Sequence, residues 1–223
     1  QCLHAPGAGG PMIQPSVEPF EAVILAGGAS SRLGYPKALL DWNGIPLWKH
    51  IVREVAAVAE KVNIVGFPEP FQAPDLAIAR FIDDPQRTGP LGGLAIGLRH
   101  TTTEKVFVMA CDMPFVRRDA IVDLMQNAKN ADVVIPRTPD GVHPLFAVYS
   151  RDCLKAIEAA LAHNERRMRS FYKGLRVREL TISEDNPTWK NVLTNINTPA
   201  ELSEVIGDRT CTQLTAPSPL PLP

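Results

Sequence analysis

Apolar runs of strand length alternate along the chain with segments of helical periodicity. Leu47, Ile51, Val55 and Val58 recur at the spacing of one helix face, and Leu154, Ile157 and Leu161 do the same further on. Helices are also predicted from Gly89 through Leu98 and around Ile121. The predicted strands are 22–25, 62–66, 78–82, 106–110, 133–136 and 145–149.

This alternation predicts an α/β protein, a single Rossmann-like three-layer domain with a mostly parallel central sheet and helices on both faces. We expect the domain to span 20–207 and to end in a short helix near Pro199, with Thr198 as N-cap and Glu201 as its capping-box partner. The Gly- and Pro-rich ends, 1–19 and 208–223, are predicted to be disordered tails. Whether the chain starts at Gln1 or at Met12 stays open.

Composition narrows the functional classes. The 223 residues carry a net charge of −1, which does not favour nucleic acid or an anionic membrane surface as a partner. Apolar runs stay well below the ~20 residues of a membrane span. The four cysteines form no C-x-x-C pair, so neither a zinc site nor a disulfide framework is indicated, and we expect a cytoplasmic location. Cys111 is interpreted as a small buried residue.

The segment 22–37, A-V-I-L-A-G-G-A-S-S-R-L-G-Y-P-K, carries the strongest chemical signal. Gly27 and Gly28 follow a buried strand, where glycines let bare backbone N–H groups approach a ligand. Arg32 and Lys37 add positive charge, which favours a polyphosphate ligand. The alternative is an ordinary strand–loop–helix corner with solvated basic residues. The spacing matches neither the Walker loop nor the dinucleotide G-x-G-x-x-G.

Two aspartates close predicted strands. In open α/β sheets the carboxyl ends of the strands gather on one edge, where ligands bind. Asp112 ends V-F-V-M-A-C-D and is the metal candidate, since Mg²⁺ uses one or two carboxylates with water and phosphate oxygens. The alternative is an Asp that caps the turn at Met113-Pro114. Asp84 is either a nucleotide contact or a polar loop start.

Five segments together resemble a known family. They are L-A-G-G-A-S-S-R-L-G-Y-P-K, Asp83-Asp84 followed by G-P-L-G-G, A-C-D-M-P-F, H-P-L-F-A-V-Y and N-I-N-T-P-A-E-L. The first segment resembles the loop of the sugar-nucleotidyltransferase-like enzymes. The order of all five, from about Ala22 to Leu202, resembles the molybdenum cofactor guanylyltransferases, which make molybdopterin guanine dinucleotide.

The resemblance implies transfer of GMP from GTP to the terminal phosphate of molybdopterin, with Mg²⁺ as cofactor and release of pyrophosphate. It implies Arg32, Lys37 and Asp112 as catalytic residues and Asp112 as metal ligand. The implied nucleotide-binding residues are Leu25, Ala26, Gly27, Gly28, Lys37, Asp84, Gly89, Gly93 and Asp112. Contact with molybdoenzymes or their chaperones is a further expectation.

The distal half is expected to bind the acceptor. Arg166 and Arg167 would stand at the start of a helix, where guanidinium groups suit a phosphate or the polar edge of the pterin. Asn195 and Asn197 would share a face of an extended segment. The alternatives are a solvated basic face for the arginines and turn chemistry for the asparagines. His143 is expected on the acceptor side without a role as a base.

Several points stay open in the sequence. Asn63 lies inside its strand and not at the end, so the family's contact at that strand end is not transferred to it. Tyr35-Pro36 shortens the approach to Lys37, which leaves the reach of Lys37 open. The competing functions are a relative that uses CTP or a sugar-phosphate acceptor, a non-catalytic nucleotide-binding module, and a dinucleotide-dependent oxidoreductase.

Overall fold

The computed structural model describes residues 17–27, 37–67, 79–82, 89–183, 185–196 and 201. The predicted tails lie outside these ranges apart from 17–19, and so does most of the predicted helix at Pro199, of which Glu201 is helical. The helices are α1 Leu47–Ala56, α2 Pro90–Arg99, α3 Arg118–Gln126 and α4 Cys153–Ala162, with a 3₁₀ turn at Lys37–Leu39. The strands are β1 Glu21–Leu25, β2 Asp41–Trp42, β3 Ile45–Pro46, β4 Lys61–Val65, β5 Ala79–Ile82, β6 Lys105–Ala110, β7 Val133–Thr138, β8 Gly141–Val142, β9 Phe146–Ser150 and β10 Val177–Thr181.

The main sheet has the order β10-β7-β9-β6-β1-β4-β5, with β8 paired to β7. All neighbours in this order are parallel except those of β9, which is antiparallel to both β6 and β7. Leu25 stands opposite both Val65 and Ala110, and Val65 stands opposite Ile82. The carboxyl ends of β5, β4, β1 and β6 therefore lie level at one edge. The mostly parallel sheet is confirmed.

Alternate residues of the buried strands serve two separate cores. Ala22 and Ile24 pack with α1 and α3, whereas Val23 and Leu25 pack with α2 and α4. This division follows from the period of two in a strand, which sends successive side chains to opposite faces. It confirms the predicted three layers.

Helix α2 lies unusually close to β1. A Cβ atom on Gly97 would come within 2.5 Å of Cγ1 of Val23, and one on Gly93 within 3.1 Å of Cδ2 of Leu25. Both glycines therefore permit helix–sheet packing at short distance. Since α2 begins beside the carboxyl end of β1, this packing also fixes where its first turn stands.

The sequence prediction missed or misplaced three segments. The helix expected at Arg166 and Arg167 is wrong, because α4 ends at Ala162 and Asn164 adopts φ 59, after which the chain makes turns. Met168 and Phe171 are buried from these turns without a helix. The polar edge strand β10 and the β2–β3 hairpin were not predicted.

Candidate active site

Backbone hydrogen bonds join the loops at the carboxyl edge. Ala26 donates its N–H to the carbonyl of Val65 at 2.9 Å, and Cys111 donates to Leu25 at 3.0 Å. Gly66 donates to Ile82 at 3.0 Å. The chain leaving β1 is thus fixed between the ends of β4 and β6. Leu25 is buried, as expected for the end of a buried strand, whereas Ala26 is half-buried and Gly27 is exposed at this edge.

Gly27 is a point of close backbone approach. A Cβ atom there would stand 3.4 Å from both Cα and the carbonyl oxygen of Gly66, which itself adopts φ 73. A Cβ atom at residue 27 would therefore be in van der Waals contact with this neighbouring loop. The small residue keeps the backbone at the start of the glycine loop open to a ligand. Gly28 and Arg32 lie outside the described residues, as does Asp84.

Asp112 and Lys37 meet at this edge although they are 75 positions apart. Lys37 opens the 3₁₀ turn, and its Nζ donates to Oδ2 of Asp112 at 3.0 Å. The distance shows that Tyr35-Pro36 does not keep Lys37 from the strand edge. The other carboxylate oxygen, Oδ1, is buried and has no hydrogen-bond partner among the described residues.

This orphan oxygen is the feature that fits a cation. A buried carboxylate oxygen without a donor is costly, and a hard divalent ion would compensate it. The described part of the chain contains no group of three or more His, Cys, Asp or Glu arranged to hold a metal. Asp112 would therefore supply one ligand and leave the remaining positions to water and phosphate oxygens.

The C-terminal segment reaches the same loop. Ile196 donates its N–H to the carbonyl of Asp112 at 2.9 Å and buries its side chain completely. Asn195 precedes it and is exposed next to this contact. Asn195 therefore lies beside the Asp112 loop, whereas Asn197 falls outside the described residues.

Gly89 and Gly93 take different positions. Gly89 has φ 80 and stands exposed at the N-cap of α2, where first-turn N–H groups point outward. Gly93 is buried and packs on Leu25, with its N–H bonded to the carbonyl of Gly89 at 3.0 Å. Gly89 is therefore accessible at the first turn of α2, and Gly93 supports this turn from within.

Other candidates lie further from this contact. Arg166 and Arg167 are exposed in the turns after α4. His143 is half-buried, with Nε2 at 2.8 Å from Oγ1 of Thr138. Burial lowers the pKa of His143 more than the charge of Asp140 raises it, so the imidazole is neutral at pH 7. Cys111 is buried, as interpreted from the sequence, and this burial raises the pKa of its thiol to about 12.

Two residues that sequence reasoning missed border the Asp112 loop. Nε2 of His50, on α1, lies 2.8 Å from the carbonyl oxygen of Pro114. The ring of Trp42, on β2, packs edge-on against Phe115. The dipeptide Asn43-Gly44, with φ 54 and φ 84, is a typical hairpin turn and could have revealed the β2–β3 hairpin.

Comparison with known proteins decides the family. Residues 22–180 match the model described as the MobA-like NTP transferase domain, which covers more than half of the chain. The chain belongs to this family. Nucleotidyltransferases of this kind typically use a divalent metal, which agrees with the orphan oxygen of Asp112.

Relatives and solved structures agree with this assignment. The chain is 34% identical over 184 residues to a probable molybdenum cofactor guanylyltransferase of Pelotomaculum thermopropionicum, covering 81% of this chain and 88% of the relative. It is 30% identical to the molybdenum cofactor guanylyltransferase of Vibrio cholerae, covering 87% and 94%. The molybdopterin-guanine dinucleotide biosynthesis protein A of Archaeoglobus fulgidus superposes with a TM-score of 0.68 at 25% identity, covering 82% and 95%. Among the described residues, no helix is long and apolar enough to cross a membrane.

Proposed function

We propose that this protein transfers GMP from GTP to the terminal phosphate of molybdopterin and releases pyrophosphate, with Mg²⁺ as the metal. The observation that carries the proposal is the Lys37–Asp112 pair with its orphan Oδ1, at the edge where the glycine loop leaves β1. It is supported by the family and by relatives named as guanylyltransferases.

In the proposed reaction an oxygen of the acceptor phosphate bonds to the α-phosphorus of GTP, and the bond from that phosphorus to the bridging oxygen of pyrophosphate breaks. A phosphomonoester is already ionised at pH 7 and needs no general base, so positioning and charge neutralisation carry the catalysis. A reaction without a general base agrees with the state of two titratable groups, since His143 is neutral and the thiol of Cys111 is protonated.

Each residue then has a distinct role. Asp112 would hold Mg²⁺ through Oδ1, and the bound ion would supply charge neutralisation at the phosphates. Lys37 and Arg32 would neutralise the leaving pyrophosphate. The nucleotide would be held by the residues at the ends of the strands and at the start of α2, namely Leu25, Ala26, Gly27, Gly28, Asp84, Gly89 and Gly93.

The acceptor side is proposed at Asn195 and Asn197 and, more distantly, at Arg166 and Arg167. Asn195 carries most weight, because the Ile196–Asp112 hydrogen bond brings it to the reacting edge. A cytoplasmic location and contact with molybdoenzymes or their chaperones remain predictions.

The test is to incubate the purified protein with each of the four nucleoside triphosphates, Mg²⁺ and molybdopterin, and to follow pyrophosphate. We expect release with GTP that depends on both molybdopterin and Mg²⁺. Release with CTP but not GTP would overturn the guanylyl assignment. Release that needs a sugar phosphate instead would overturn the acceptor.

A further inference from the structure

The loop that carries Asp112 is held from behind by a histidine. Nε2 of His50 lies 2.8 Å from the carbonyl oxygen of Pro114, two residues beyond Asp112. A carbonyl oxygen only accepts hydrogen bonds, so Nε2 must carry the hydrogen and donate. His50 is half-buried on α1, on the side of the sheet where Met113 is buried. This bond fixes the height of the loop above the end of β6.

An aromatic contact adds a second fastening. The ring of Trp42 is 5.8 Å from that of His50 and 5.6 Å from that of Phe115, the latter edge-to-face at 85°. Such aromatic pairs contribute about 0.5–1.5 kcal/mol beyond their buried area. Trp42 therefore connects the donor, His50, with the residue that follows the acceptor, Pro114.

The same stretch of chain also positions Lys37. The carbonyl of Lys37 accepts the N–H of Leu40 at 3.1 Å, and the carbonyl of Leu40 accepts the N–H of Leu47 at 2.8 Å. The second bond closes the β2–β3 hairpin at its base, where α1 begins. Lys37 thus stands at one end of a short closed unit, with Trp42 in its middle and His50 on the helix that follows.

We infer that His50 and Trp42 are positioning residues that hold the Asp112 loop against the segment bearing Lys37. The stretch from Lys37 to His50 contacts the loop at Pro114 and Phe115 and also places Lys37 against Asp112. The carboxylate and the ammonium are therefore oriented before a ligand arrives. This inference rests on the proposed function for the role of Asp112 as metal ligand. Residues that orient a ligand of this kind typically change metal affinity or activity about 10–100-fold when replaced.

The test compares three variants. His50→Leu removes the donor, and His50→Gln keeps an amide N–H that reaches Pro114. His100→Leu is the matched control, since His100 is also half-buried and its Nδ1 faces the Ile96 carbonyl at 2.9 Å, but it stands at the end of α2 away from the site. We expect His50→Leu to lower kcat by about tenfold or more with little change in KM for GTP. We expect His50→Gln to stay within about threefold of wild type and His100→Leu to match it.

Equal losses in His50→Leu and His50→Gln, or a His50→Leu variant as active as His100→Leu, would overturn the inference. If His50→Leu does not fold, His50→Asn replaces it in the comparison, because its shorter amide stops short of Pro114. A fall for Asn but not Gln then supports the positioning role, and equal values contradict it.

Metal binding gives a readout that needs no turnover. Titration with Mn²⁺ followed by electron paramagnetic resonance, with and without GTP, should show about tenfold weaker binding in His50→Leu than in His100→Leu. Equal Mn²⁺ affinities would overturn this inference alone. A wild-type protein that binds Mn²⁺ but releases no pyrophosphate from GTP would overturn the proposed function alone.

Discussion

Both edges of the sheet carry a carboxylate shielded from solvent, and the two are satisfied very differently. At the amino edge, Oε1 of Glu21 accepts the N–H and the hydroxyl of Thr102, and Oε2 accepts the amide of Asn63 and faces the ammonium of Lys61 at 3.7 Å. At the carboxyl edge, Asp112 has Lys37 on one oxygen and nothing described on the other. A saturated carboxylate is part of the architecture, whereas a buried oxygen without a donor calls for a further partner, and for Asp112 a cation fits that place.

The largest expected effect comes from Asp112→Asn. Because the neutral amide lacks the negative charge with which a carboxylate attracts a hard cation, we expect pyrophosphate release to fall at least ~10³-fold, with little change in melting temperature. Asp132→Asn is the matched control: its side chain is 20% exposed against 16% for Asp112, and it pairs with Arg176 at the opposite edge. Activity above a tenth of wild type in Asp112→Asn would contradict the assignment.

Lys37→Ala should have the next largest effect. Loss of the ammonium leaves the charge on the phosphates uncompensated, and we expect kcat/KM to fall about 10²-fold. Lys105→Ala is the control, because the Lys105 side chain is similarly buried, but its Nζ bonds the Ala131 carbonyl at 2.8 Å and pairs with Glu104, away from the site. Undiminished turnover in Lys37→Ala, measured by pyrophosphate release, would remove Lys37 from the mechanism.

Glu21→Leu should have the opposite effect to the two preceding variants: it should lower stability and leave the catalytic rate unchanged. The substitution leaves the Thr102 and Asn63 donors and Lys61 without their acceptor, which we expect to cost about 3 kcal/mol in the free energy of unfolding. Urea denaturation measures this loss, and kcat of the folded variant should match wild type. Glu158→Leu, which breaks the exposed pair with Arg99, should cost under about 1 kcal/mol. Similar losses in both variants would show that the amino-edge network is not special.

The smallest predicted effect is the acid dependence of the Glu21 network. Burial by itself would raise the pKa of Glu21, but the Thr102 hydrogen bonds, the charge of Lys61 and the Asn63 amide together hold that pKa below its ordinary value. A lowered folded-state pKa means that the stabilisation is complete above the unfolded pKa of about 4.3 and is lost as pH falls through the folded one.

The stability difference between wild type and Glu21→Leu should therefore be constant from pH 7 to about pH 5 and shrink below about pH 4. Urea denaturation across this range measures the difference. Comparing the two proteins at each pH cancels the contribution of other acidic groups, including Asp132, whose pKa is held at about 2 mainly by hydrogen bonds from Arg176. A difference that grows toward acid would contradict the sign of the shift.

Much of the scaffold was predictable because it depends on local pattern. The apolar runs gave β1, β4, β5, β6, β7 and β9, and the helical spacing gave α1 to α4. The antiparallel direction of β9 was not visible, because a buried run reads the same in either direction. Strand β10 was not predicted because its residues are mostly exposed. Strands β2 and β3 were not predicted because two residues are too few to show a period.

The site divides in the same way. That Gly27 and Asp112 share an edge follows from the rule that ligands bind at the carboxyl ends of strands. The Lys37–Asp112 contact could not be predicted, because the two residues are 75 positions apart and their meeting depends on the fold of the chain between them. The contacts of His50 and Trp42 with the Asp112 loop could not be predicted either, since no sequence pattern distinguishes this histidine on a helix face or this tryptophan in a hairpin from a purely structural residue. The helix predicted at Arg166 and Arg167 was wrong because the chain makes turns there, and Met168 and Phe171 are buried from these turns.

The hydrogen bond from Ile196 to the carbonyl of Asp112 sets an order of events during synthesis. The segments that contain Gly27, Lys37 and Asp112 leave the ribosome early, whereas the segment that completes the Asp112 loop emerges dozens of residues later. A nascent chain that ends before Ile196 therefore holds Asp112 in a loop that lacks this hydrogen bond. We therefore expect the Asp112 loop to reach its final form only after Ile196 has left the ribosome.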